Sequence, residues 1–185
     1  MLERVLRNML VILLLACPAA AWSEVTDANA HGFTSSIQLM IAATPERVYR
    51  ALVHEVGRWW DPSHSYSGKA ENLYIEAKPG GCFCERMAAN GGVEHMRVVL
   101  LQPGKQLRLS GGLGPLQSVA AAGSMDFLLK RAGKSSTQLN YTYVVGGYRS
   151  GGLKEWSAVV DGVQAGQLQR LKSYVETGSP VGGQN

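Results

Sequence analysis

LKEWSAVVDGVQAGQLQRLKSYVE, residues 153–176, carries apolar or amphipathic side chains at Trp156, Val160, Val163, Gln167, Leu171 and Tyr174 or Val175. That spacing follows the helical period and predicts a helix of about six turns from Leu153 to Glu176. Gly178 supplies a left-handed stop, and Ser179-Pro180 prevents continuation. One long helix must lay its apolar stripe against something, so the fold depends on what precedes it.

Immediately upstream the period is two, not 3.6. Strands are predicted from Leu73 to Ala77, Cys82 to Met87, Val93 to Leu101, Gln106 to Ser110, Ala121 to Lys130 and Thr137 to Gly146. Short glycine-bearing turns such as Lys78-Pro79-Gly80-Gly81 and Ala89-Asn90-Gly91-Gly92 join most of them, which implies an antiparallel meander. A longer glycine-rich loop, Ser110 to Gln117, interrupts the rhythm. Further upstream, Thr34 to Ala42 alternates as a strand, and Thr44-Pro45-Glu46 caps and opens a helix to Val53 with Val48, Ala51 and Leu52 inward. Trp59-Trp60-Asp61-Pro62 then leads into a loop through Gly68. Glu24 to Phe33 has no apolar period and is predicted as a loose lead-in carrying an exposed His31. The order predicts one α+β domain, residues 34–178, with about seven antiparallel strands curved around the C-terminal helix and a flexible tail at 179–185.

The 185 residues suffice for a single core. At the N-terminus, Glu3, Arg4 and Arg7 precede an apolar run from Met9 to Ala16 and the small residues Ala19-Ala20-Ala21, the layout of a secretory signal peptide over residues 1–23. The run is about half the ~20 residues a membrane-spanning helix needs, so no stable span is expected. Leu14-Leu15-Ala16-Cys17 also resembles a lipoprotein signal that would acylate Cys17, although Leu15 and Pro18 fit it poorly. The expected location is the periplasm or the exterior. The formal charge of +4 is scattered, without a basic arm or helix face, which excludes the electrostatic footprint of a nucleic-acid binder.

The order of elements, with Thr44-Pro45-Glu46-Arg47-Val48-Tyr49 after the first strand and Trp59-Trp60 after the first helix, resembles the START-like (SRPBCC) superfamily, the helix-grip fold. His64-Ser65-Tyr66-Ser67-Gly68, Gly80-Gly81-Cys82-Phe83-Cys84-Glu85 and Gly112-Leu113-Gly114-Pro115-Leu116-Gln117 are similar to segments of a bacterial exported branch of it. The resemblance covers about Ile37 to Glu176. It implies a cavity between sheet and helix, brings no catalytic motif, and has polyketide cyclases/aromatases and heat-shock-protein ATPase activators as distant relatives.

No nucleophile elbow, phosphate loop or zinc-ligand spacing is present, and no cofactor or metal is expected. Trp59 and Trp60 either line a pocket or divide between core and sheet edge. Glu85 shares the apolar face of its strand with Met87 and with Phe83, and both Phe83 and Glu85 are expected among the ligand-binding residues. Glu85 is expected either to pair with Arg97, Arg108 or His95, or to sit desolvated with a raised pKa as an acid, base or ligand-orienting group. His95 is either a hydrogen-bonded structural group or the second acid/base residue. His64 and Tyr66 are placed at a cavity rim, and Leu113 and Pro115 either in a flap over its mouth or in an ordinary connection. Tyr141 and Tyr143 share one face, so at least one hydroxyl needs a buried partner, and Trp156 either closes the cavity floor or packs in the core.

Cys82 and Cys84 on a regular strand lie roughly 6.5 Å apart on one face, too far for a bridge. Two half-buried thiols are therefore expected, with a strained redox pair or a soft-metal site including Met87 or Met96 as alternatives. Taken together, the chain reads as a non-enzymatic carrier that encloses an apolar, lipid-like or aromatic small molecule. The alternatives are a cyclase-like enzyme using Glu85 and His95 as acid/base groups, and a chaperone-like protein-interaction module.

Overall fold

A computed structural model describes residues 22–181. The expected signal segment and Cys17 lie outside the described residues apart from Trp22 and Ser23, as does the tail beyond Val181. One antiparallel sheet of eight strands runs in the order β1-β2-β8-β7-β6-β5-β4-β3. Its strands are β1 (Trp22–Asn29), β2 (Gly32–Ile41), β3 (Leu73–Ile75), β4 (Cys82–Arg86), β5 (Gly92–Gln102), β6 (Gln106–Gly111), β7 (Ala120–Gly133) and β8 (Ser136–Tyr148). Helices α1 (Pro45–His54) and α2 (Val56–Trp59) follow β2, and α3 (Trp156–Thr177) closes the chain.

The six-strand meander and both main helices form as their periods predict. Thr44 caps α1 by accepting from the Arg47 amide, and Val48, Ala51 and Leu52 turn inward together with Tyr49 and Val53. Along β2, Phe33, Ser35, Ile37, Leu39 and Ile41 alternate onto the buried face. Gly178, at φ +83°, ends α3 with its amide on the Tyr174 carbonyl.

Residues 24–33 are not a loose lead-in. They form most of β1 and its hairpin turn into β2, the eighth strand that the side-chain pattern does not announce. β1 sits at the sheet edge and is held by its main-chain ladder to β2, which requires no apolar alternation. Gly32 is needed at the start of β2: a Cβ there would stand 2.3 Å from the Val145 carbonyl oxygen of β8.

Helix α3 is fastened unevenly. Towards its C-terminus Leu168, Leu171 and Tyr174 are buried, Gln167 accepts from the Asp61 amide, and Arg170 donates to the Trp59 carbonyl. Lys172 reaches the Met40 carbonyl, and Glu176 accepts from the Ala42 amide at the end of β2. Towards its N-terminus the polar tie is Asp161, which accepts from Ser23 and Ser35 at 2.6 Å each. Leu153, expected inside the helix, lies just before it, fully buried, with its amide on the Ala30 carbonyl. No helix among the described residues is long and apolar enough to cross a membrane.

Since Leu171 is fully buried where α3 grips the sheet, Leu171→Ala should destabilise the protein by about 2–5 kcal/mol. Urea unfolding followed by tryptophan fluorescence reads the change.

Candidate functional site

Under the N-terminal half of α3, where the helix carries no large buried apolar residue, the sheet and helix enclose a cavity of about 660 Å³. That volume lies within the range of small-molecule sites. Trp156, Val159, Val160, Val163 and Gln164 of α3 form one wall, and Phe83 of β4, His95 of β5 and Tyr143 of β8 belong to the sheet side. The loop after α2 contributes Trp60, Ser63, His64, Ser65 and Tyr66, and the glycine-rich loop contributes Leu113, Gly114, Pro115 and Leu116. Among the described residues, no Asp, Glu, Lys or Arg lines it.

The two loops meet at the cavity, where the Tyr66 hydroxyl donates to the Gly114 carbonyl at 3.2 Å. The glycine-rich loop is held at its root by Tyr143, whose hydroxyl donates to the Gly111 carbonyl and accepts from the Leu113 amide, both at 3.2 Å. Burial pushes this phenol up to about 12, against the opposing pull of the Leu113 amide, so it remains protonated near neutrality. Trp60 donates to the His64 carbonyl at 2.9 Å, which fixes the other loop. A chain of rings, Trp60 to Phe83 to His95 to Tyr66, runs along one wall with centroids 5.2–5.8 Å apart.

His95 reaches this wall because of a β-bulge. Phe83 pairs with Met96 and Cys84 pairs with Glu94, so His95 is the extra residue on β5, and both His95 and its neighbour Met96 are buried. Strict alternation would send one of them outward. The inward turn sets His95 Nε2 3.1 Å from a carboxylate oxygen of Glu85, which also accepts from the Tyr66 and Ser67 amides. The other two proposed partners of Glu85 are engaged elsewhere, Arg97 with Glu94 and Arg108 with Asp126.

Glu85 does not have the raised pKa expected of a desolvated carboxylate. Burial does push it up, but the hydrogen bonds from Ser67 and Tyr66 and the contact with His95 pull it further down, below its ordinary value. His95 is lowered as well: burial outweighs the opposing attraction of Glu85. The pair is therefore a carboxylate beside a neutral imidazole. Because a carboxylate only accepts, the imidazole proton is assigned to Nε2, leaving Nδ1 as a buried acceptor with no partner among the described residues.

The expectation of two free thiols is overturned as well. The Cα atoms of Cys82 and Cys84, on β4 opposite the bulge, stand 5.4 Å apart, closer than on a regular strand, and the two sulfurs form a disulfide. Their cross-strand neighbours, Arg97 and Glu94, form an ion pair at 2.7 Å. With both sulfurs bonded to each other, the cysteines form no thiol site with Met87 or Met96. Among the described residues no group of His, Cys, Asp or Glu is arranged to hold a metal.

Of the residues singled out from the sequence, Trp60, His64, Tyr66, Phe83, His95, Leu113, Pro115, Tyr143 and Trp156 come together around the cavity. Three do not line it. Trp59 is core, donating to the Ala51 carbonyl. Tyr141 packs against Phe127 at 5.2 Å between centroids, its hydroxyl unpartnered. Glu85 stands behind His95. Gln164 was missed, since a glutamine on a helix otherwise marked by its apolar period signals nothing until the helix is seen to stand off the sheet.

No family model matches the chain, and no curated protein matches its sequence. Solved structures do match. A conserved protein of unknown function from Enterococcus faecalis, EF2215, superposes with a TM-score of 0.60 at 16% identity, over 84% of this chain and 78% of that one. The Aha1 dimer from Colwellia psychrerythraea gives 0.55 at 19%, over 78% and 97%. CalU16 from Micromonospora echinospora gives 0.52 at 15%, over 88% and 84%. The chain has the helix-grip fold. In this helix-grip chain, as in others at such identities, the likeness establishes architecture and leaves the chemistry to the site itself.

The bridge and the Glu85–His95 pair each have a measurable consequence. Replacing both Cys82 and Cys84 by serine should cost no more than about 1.5 kcal/mol in thermal or chemical unfolding, because the loop they close is minimal. Both Glu85 and His95 have lowered folded pKa values. Their contributions are therefore present above the unfolded values and lost on acidification, first below about 6.5 for His95 and then below about 4.5 for Glu85. Glu85→Gln removes the attraction that holds the His95 pKa up, so the imidazole should titrate still lower by NMR. An upward shift would show that the pair is not a carboxylate facing a neutral ring.

Proposed function

We propose that this chain binds an apolar small molecule between its sheet and α3 and acts as a carrier for it. The observation that supports the reading is a cavity of about 660 Å³ whose wall is mostly aromatic and aliphatic and, among the described residues, includes no carboxylate, lysine or arginine. Such a surface gains most from a ligand that itself leaves water, at about 25 cal/mol per Å² of apolar area. Its concave form supports a small molecule over a flat protein-interaction surface. Action outside the cytoplasm belongs to the same proposal. The N-terminal pattern supports it, as does the Cys82–Cys84 bridge, because disulfides persist in oxidising compartments.

A cyclase-like enzyme is the second reading, favoured by one observation: Glu85 engages Nε2 of His95 and leaves Nδ1 basic. The ring lines the cavity, but that nitrogen is buried, so taking a proton from a bound enol or phenol requires the wall to open and expose it.

Native mass spectrometry of protein purified from the periplasm without detergent tests the carrier. A discrete apolar adduct is expected, absent from Leu113→Asp, which places a charge on the cavity wall. A bare protein mass, together with no uptake of any apolar probe, would remove the proposal.

A further inference from the structure

We propose that Gln164 selects the ligand: its side-chain amide pairs with a neutral group that both donates and accepts, as a carboxamide or lactam does, on an otherwise apolar body. The inference rests on the binding reading above and names the polar group of the ligand within it.

Gln164 stands where an apolar residue would be ordinary. Ser157, Gln164, Leu168 and Leu171 of α3 are buried and share the helix stripe that faces the sheet. Leu168 and Leu171 fill the gripped half, whereas Gln164, 4% exposed, brings an amide to the cavity wall. Gln167, buried within one turn of it, has a partner in the Asp61 amide. No hydrogen bond ties the Gln164 amide to the other described residues. A buried amide without a partner costs stability, and a ligand that supplies one recovers it.

The amide is also reachable. Among the described residues, the buried side-chain atoms that lack both a partner and a contact surface are the Tyr49 and Tyr141 hydroxyls, His95 Nδ1 and Asn140 Nδ2. Oε1 and Nε2 of Gln164 are not among them, so both keep accessible surface. On a residue that faces the sheet and lines the cavity, that surface belongs to the cavity.

The rest of the wall narrows the class. The hydroxyls of Tyr143, Tyr66, Ser63 and Ser65 already donate within the protein, to Gly111, Gly114, Asp61 and Pro62. No Asp, Glu, Lys or Arg among the described residues lines the cavity, so an ionised ligand group would enter without a countercharge. A carboxamide stays neutral, and its carbonyl and N–H lie side by side. It therefore meets the donor and the acceptor of Gln164 at once.

The test compares para-phenylbenzamide, its apolar analogue para-isopropylbiphenyl and the corresponding biphenyl carboxylate by equilibrium dialysis near neutral pH. Gln164→Leu should weaken the benzamide about tenfold or more and should not weaken the isopropyl compound. The carboxylate should bind the wild type at least about tenfold more weakly than the benzamide. In the wild type, the NMR signals of the Gln164 side-chain amide should move with the benzamide and stay in place with the isopropyl compound. The unliganded variant should melt no lower than the wild type, because an unpaired amide gives way to an apolar chain of similar size. A lower melting temperature would show that the amide is paired within the protein and would overturn the inference. Equal weakening of benzamide and isopropyl compound, or a carboxylate bound as well as the benzamide, overturns the selectivity while leaving the apolar cavity reading intact. If none of the three binds, the binding reading fails and the inference with it. The wild-type affinities and amide signals decide even if the variant does not fold.

Discussion

Helix α3 is gripped along only part of its length, and the remaining features of the site depend on that asymmetry. Its C-terminal half meets the sheet through Leu168, Leu171 and Tyr174 and is stitched to the ends of β2 and α2 by Gln167, Arg170, Lys172 and Glu176. Its N-terminal half carries valines and glutamine towards the sheet and is tied at one polar point, Asp161 to Ser23 and Ser35. Both ends are therefore placed while the near half lacks the side-chain volume to close the gap. Close packing would otherwise fill such a space.

The second determinant is local, a single extra residue on β5. That bulge turns His95 inward onto Glu85, opposite the strand that carries the Cys82–Cys84 bridge, whose cross-strand neighbours Glu94 and Arg97 form an ion pair. It also offers its carbonyl oxygens to Gln117, whose side-chain amide donates to the Glu94 carbonyl at 2.6 Å and so fastens the glycine-rich loop to β5. The bridge spans too short a loop to constrain the unfolded chain much. Its effect is confined to the strand segment that presents Phe83 and faces His95.

The helix-grip architecture is shared with proteins as different in description as Aha1 and CalU16. What distinguishes this chain lies in which side chains reach the cavity and in their protonation. A neutral imidazole with a fixed tautomer in an apolar wall is a property of residues 83–97 and the loops above them, and an architecture common to many chains carries no information about it.

The alternation from Leu73 to Gly146, the capped start at Thr44-Pro45 and the period through residues 153–176 were enough to determine strand, helix and their packing, because each depends on local backbone preference and on which face is apolar. Most of the cavity wall was legible for the same reason: large aromatic residues near loop and strand ends have few other places to go. Edge strand β1 was not legible, since a main-chain ladder leaves no mark in side-chain pattern. Neither were the inward turn of His95, the Cys82–Cys84 bridge, the exclusion of Trp59 and Tyr141 from the cavity, or the role of Gln164. These follow from a change of register between two strands and from the height of a helix above a sheet, distances across the fold that no run of neighbouring residues encodes.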